Sequence, residues 1–89
     1  MAKAYVYTLK SERNGSFYIG STNNYQRRLD EHERGKSKYT RNNRPYKLVL
    51  VQEFQDLKTA RVIEYKLKRF ANRNVIEKIV LEQKINLEL

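Results

Sequence analysis

The chain has no cysteine, which removes disulfides and thiolate metal sites and is compatible with a reducing, cytoplasmic setting. Histidine occurs once, at position 32. With one histidine and no cysteine, a zinc site of the usual composition cannot be assembled, and histidine-pair chemistry is excluded. Neither a G-x-x-x-x-G-K-[ST] loop nor a G-x-G-x-x-G turn is present, so no familiar nucleotide cradle is available. Long apolar runs are missing as well. The longest, Leu48 to Val51, is far too short to span a bilayer, and the N-terminus lacks the apolar stretch of a signal peptide. No membrane association is expected. No repeat or low-complexity linker divides the 89 residues, so residues 1–89 read as a single domain, with the core over about 4–80 and a short C-terminal tail.

Positive charge is what the chain has in excess. Nineteen Lys and Arg against ten Asp and Glu give a formal net charge of +9. Residues 1–50 hold eleven bases and four acids, and residues 51–89 hold eight and six. From Arg34 to Lys47 the bases are Arg34, Lys36, Lys38, Arg41, Arg44 and Lys47, with no acid and with Tyr39 and Tyr46 interleaved. Such a segment is the usual electrostatic footprint of a nucleic-acid surface, with Lys36, Lys38, Arg41 and Arg44 as the expected contacts. A solvated loop on a basic protein has the same composition, and charge alone does not separate the two.

The pattern along the chain predicts strands over Ala4–Leu9, Phe17–Ser21 and Tyr46–Phe54. Between the first two, Asn14-Gly15 is a good turn pair and points to an antiparallel hairpin. A helix is expected after an N-cap at Thr22 or Asn23, ending before Gly35. Leu57 to Ala71 has helical periodicity, and Val75 to Ile85 reads as a last helix after Asn72 or Asn74. Three strands cannot bury both faces alone, so the helices must cover the sheet.

Two helices place charges on their inward stripes. In the first, Tyr25, Arg28, Leu29 and His32 fall at i, i+3, i+4 and i+7, and Tyr25 and Leu29 are its only large apolar residues. Arg28 and His32 therefore point inward or along the edge of the core. In the second, Glu64 sits within the stripe Ala60, Ile63, Leu67, Phe70 and Ala71. An ionised group placed inward must be paired, hydrated or bound to an ion. A polar pocket between helices and sheet satisfies that need. So does a structural Arg28–Glu64 salt bridge, or long stems reaching water.

Tyr5-Val6-Tyr7, then Tyr18-Ile19-Gly20 eleven residues after Tyr7, then Arg28 and His32, with Glu64 on a later helix, resembles the signature of the GIY-YIG nuclease family. The second half is intact. In the first, Tyr5 and Val6 stand where the name-giving Gly and Ile would be, and Tyr7 keeps the tyrosine. The segment GSFYIGSTNNYQRRLDEHERGKSKYTRNNRPYKLV, Gly15 to Val49, is similar to small stand-alone bacterial proteins of this kind. The resemblance implies an α/β (α+β) fold: a three-stranded antiparallel sheet flanked by helices in the order β-β-α-β-α-α. It also implies one site made of Tyr7, Tyr18, Arg28, His32 and Glu64.

The implied activity is metal-dependent endonucleolytic cleavage of nucleic acid, with DNA favoured over RNA. Glu64 would hold one divalent cation, Mg2+ or Mn2+, which suits a carboxylate and phosphate oxygens. Arg28 would fork onto the scissile phosphate. Tyr7 would orient or deprotonate the attacking water, with Tyr18 nearby and His32 able to share the proton transfer. A phenol is a poor base unless its pKa is lowered. Gly20 is expected where backbone or substrate approaches closely, so it joins the nucleic-acid contacts. Ser21 stands where some family members carry a lysine. Defined targets in this family usually require an added recognition domain, so weak or structure-based specificity, or a protein partner that supplies targeting, is expected. The competing expectation is a basic nucleic-acid-binding module on the same fold without turnover.

Overall fold

The computed structural model describes residues 3–36 and 41–85, apart from the side chains of Arg41 and Phe70. Strands β1 (Ala4–Ser11), β2 (Phe17–Thr22) and β3 (Tyr46–Phe54) form an antiparallel sheet in the order β2-β1-β3. Helix α1 (Tyr25–Glu33) follows β2, and α2 (Leu57–Phe70) and α3 (Arg73–Glu82) follow β3, so the chain runs β-β-α-β-α-α as expected. A single 3-10 turn, Arg41–Asn43, precedes β3.

β1 is central because it can be buried on both faces. Ala4 and Val6 face one cluster with Ile19, Leu50, Ala60, Leu67, Ile79 and Ile85, under α2 and α3. Tyr7 and Leu9 face a second with Tyr46, Tyr18, Tyr25, Leu29, Leu48 and Val51, on the α1 side. The alternation of strand side chains produces both clusters, and a register irregularity between Thr8 and Leu9 interrupts the β1–β3 ladder. The β1–β2 turn closes at Gly15, whose φ of 76° is readily available to glycine. The Ser11 hydroxyl accepts the amides of Arg13 and Asn14 there.

Helix starts differ slightly from expectation. Thr22 is still paired with Tyr5 in the sheet, so α1 cannot start at once. Asn24 is its cap and accepts Arg27 N–H at 3.1 Å. Asp56 caps α2 through Thr59 N–H, and Asn72 caps α3 through Val75 N–H. α3 ends at Glu82 because Gln83 takes a left-handed conformation, φ 57°. Its side-chain amide then reaches Val49 O at 2.7 Å, and Ile85 N–H donates to Gln52 Oε1 at 2.9 Å. Ile85 is buried. Packing therefore continues past residue 80, where a tail was expected. Among the described residues, no helix is long and apolar enough to cross a membrane.

Candidate active site

Tyr7 lies at the middle of β1, directly opposite Gly20 of β2, and is only 2 % exposed. Its ring lies over the glycine. A Cβ added at Gly20 would stand 2.5 Å from Tyr7 Cζ and 2.9 Å from Cε1, closer than real Cβ atoms come. Gly20 is buried, and the space its side chain would take is filled by the Tyr7 phenol.

His32, in the last turn of α1, is fully buried. Its Nε2 lies 3.2 Å from the Tyr7 Oη. The Tyr18 ring meets the imidazole edge-on at 4.7 Å between centroids and lies 6.3 Å from the Tyr7 ring. From one turn earlier, the Arg28 guanidinium lies within electrostatic reach of the Tyr7 phenol and holds Glu31 at 2.7 Å. The i, i+4 spacing of Arg28 and His32 on α1 is what places both beside one phenol.

Burial pushes the Tyr7 hydroxyl up to about 12, and the Arg28 guanidinium draws it back only in part. The phenol therefore keeps its proton at neutral pH. Burial also lowers the His32 pKa, and the positive charge of Arg28 lowers it further. A neutral imidazole protonated at Nδ1 accepts the Tyr7 O–H at Nε2, and the other tautomer donates to the phenol oxygen.

Glu64 arrives from α2. Its carboxylate accepts a hydrogen bond from the Ser21 hydroxyl on the edge strand β2 and pairs with Lys68 Nζ at 2.7 Å. Lys68 Nζ also stands 5.6 Å from the Tyr18 ring centroid. The negative charge of Glu64 is felt at the Tyr7 phenol. Arg28 and Glu64 thus have separate partners, Glu31 and Lys68, and the simple Arg28–Glu64 bridge open at the sequence level is not formed. Tyr7, Tyr18, Arg28 and His32 gather around one phenol, and Glu64 stands at the β2 edge beside them.

Residues 3–77 match the family model of the GIY-YIG catalytic domain. The chain belongs to the GIY-YIG family. It is 47 % identical over 68 residues to a UPF0213 protein of Streptococcus pneumoniae, covering 75 % of this chain and 68 % of that one. With a UPF0213 protein of Staphylococcus haemolyticus it shares 39 % over 80 residues, covering 89 % and 96 %. The solution NMR structure of the UPF0213 protein BH0048 from Bacillus halodurans matches with a TM-score of 0.57 and 34 % identity, over 91 % of this chain and 86 % of that chain.

In this GIY-YIG chain the donor set suits a hydrated hard cation better than an all-protein cage. Among the described residues, no three His, Asp or Glu side chains group as a metal site. One carboxylate, completed by water and substrate phosphate, is a common arrangement for Mg2+. Glu64, whose side chain is 21 % exposed, is the carboxylate that could fill that place. Ser21 and Lys68 are the contributors that the signature did not disclose. Lys68 was legible as the i+4 partner of Glu64. Of the basic-loop candidates, Lys36 is exposed just beyond α1, and Arg44 donates to Glu33 O at 3.2 Å. Arg41 begins the 3-10 turn, but its side chain and all of Lys38 lie outside the described residues.

Proposed function

We propose that this GIY-YIG chain is a metal-dependent endonuclease that hydrolyses phosphodiester bonds, with DNA preferred over RNA and weak or structure-based selectivity. The observation that carries the reading is the surroundings of Tyr7. A buried phenol has an imidazole nitrogen at 3.2 Å, with a guanidinium and a carboxylate in electrostatic reach. A merely packed tyrosine has no need of all three.

Cleavage builds charge on the phosphate oxygens and requires a proton to leave the attacking water. Arg28 binds a non-bridging oxygen while Glu31 holds its other side. The water's proton passes to the Tyr7 oxygen as the Tyr7 proton moves to His32 Nε2, so no free phenolate is required despite the raised pKa. Tyr18 packs edge-on against the imidazole and keeps it in place. Glu64 would hold Mg2+ or Mn2+, which supplies Lewis-acid stabilisation of the phosphate and the leaving oxygen when bound. Lys36, Lys38, Arg41 and Arg44 hold flanking phosphates. A cytoplasmic location and a targeting partner complete the reading.

One observation favours the alternative of a non-catalytic binding module. Lys68 already neutralises Glu64, and a cation must displace it. Incubating the protein with a panel of DNA and RNA structures in Mg2+, in Mn2+ and in EDTA separates the two. Cation-dependent cleavage supports the nuclease, and salt-sensitive binding without cleavage supports the module.

A further inference from the structure

Lys10 of β1 sits in register between Phe17 of β2 and Lys47 of β3. Two lysines directly opposite one another across antiparallel strands repel, which destabilises the sheet. Both are exposed, and among the described residues neither has a carboxylate within ion-pair distance. Lys10 Nζ stands 5.6 Å from the Phe17 ring centroid, and Arg73 Cζ stands 5.0 Å from the same ring. Arg73 is fixed in place by Gly15 O at 3.0 Å and Glu77 at 2.8 Å. Lys10, Phe17 and Lys47, with Val49, Glu77, Val80 and Leu81, border an open groove of about 500 Å3, and the Glu77 carboxylate there is held by Arg73.

Basic side chains continue along the β2 edge toward the candidate active site, from the face of Phe17 to the opposite face of Tyr18. β2 is an edge strand, and its adjacent residues Phe17 and Tyr18 each carry a cation over the ring. Lys68 belongs to the Glu64 end of that track, and Arg73, Lys10 and Lys47 to the other. The local repulsion is relieved by anything that brings negative charge between the two lysines.

We propose that Lys10 and Lys47, with Arg73 beside them, form a second phosphate-binding surface, along which the nucleic-acid backbone runs after passing the site at the β2 edge. The proposal rests on the nuclease reading for its ligand, and it adds Lys10, Lys47 and Arg73 to the contacts expected at Lys36, Lys38, Arg41 and Arg44. The row of cations along the β2 edge and the net charge of +9 favour a polyanionic backbone over an acidic peptide.

Binding of fluorescent duplex DNA in EDTA across a range of salt tests it, with the parent, Lys10→Gln/Lys47→Gln and Lys10→Arg/Lys47→Arg. Each phosphate contact adds about 0.9 to the salt slope, so the glutamine pair should lower the slope by about 1.8. If the lines meet at about 1 M salt, that is a loss of about 60-fold at 0.1 M. The arginine pair should bind like the parent. The melting temperature of the glutamine pair should equal or exceed the parent's, since a repulsion is removed, so a binding loss is not unfolding. An unchanged slope and affinity in the glutamine pair overturns the surface, as does equal weakening in the arginine pair. A parent that binds and cuts, with the glutamine pair unchanged, removes this surface alone. A parent that neither binds nor cuts removes the nuclease reading with it.

Discussion

Gly20→Ala is the smallest change that should disable the site from within. The added Cβ would lie 2.5 Å from Tyr7 Cζ, and the ring cannot simply move away because Tyr7 is 2 % exposed. Overpacking of this kind costs about 1–3 kcal/mol. Alanine is intrinsically better than glycine in a strand by about 0.5–1 kcal/mol, so the net loss should be about 0.5–2 kcal/mol. For a domain of this length each kcal/mol lowers the melting temperature by about 4–8 °C, which puts the expected drop at about 2–16 °C. The assay is thermal unfolding of the parent, Gly20→Ala, Tyr7→Ala and the double variant. With the ring gone, the alanine at position 20 should be neutral or slightly stabilising, so the cycle should show a coupling of about 1–3 kcal/mol. Additive effects, or a Gly20→Ala protein as stable and as active as its parent, would refute the claim that this glycine exists to seat the phenol.

Further expectations concern the groups around that phenol. Tyr7→Phe removes the proton carrier but keeps the ring, so cleavage should fall to background while stability drops by only about 1 kcal/mol for the lost hydrogen bond; substantial residual activity would remove Tyr7 from the chemistry. The His32 pKa is lowered in the fold by burial and Arg28, so the unfolded chain binds the proton first as pH falls. Stability should therefore decline below about pH 6.5 and level off beneath the folded value. Melting curves at about pH 7.5 and 5.5 should show a larger fall for the parent than for His32→Gln, and equal falls would contradict the buried neutral ring. Lys68→Ala frees Glu64 from its resident cation, so half-maximal activity should be reached at lower Mn2+ concentration; an unchanged Mn2+ requirement would mean that Lys68 does not compete for the carboxylate.

Most of the fold was legible because each strand announced itself by β-branched and aromatic residues, and each helix by its periodicity. Tyr46–Phe54 and the start of α2 at Leu57 agree to the residue. The misplaced boundaries had tertiary causes. Thr22 stayed in the sheet and moved the cap of α1 to Asn24, and a left-handed Gln83 stopped α3 before Ile85. The site was legible only in part. Stripe positions identified Arg28, His32 and Glu64 as inward groups, but periodicity does not say who pairs with whom. Glu31 and Lys68, each within one turn on the same helix, took the partners' places that Arg28 and Glu64 could have filled for each other. The reason for Gly20 was hidden because cross-strand register, which sets Tyr7 over it, is a property of the sheet and not of either strand.

The central claim is that Glu64 holds a catalytic cation rather than the fold. Glu64→Gln keeps size and removes charge. Its exposed Lys68 pair contributes about 0.3–0.5 kcal/mol, so the variant's melting temperature in EDTA should lie close to the parent's. With labelled DNA, the parent should cut in Mg2+ or Mn2+ and not in EDTA, and Glu64→Gln should bind with the same salt dependence but cut under none of these conditions. Cleavage by Glu64→Gln at the parent's rate, or cleavage by the parent undiminished in EDTA, would contradict the account.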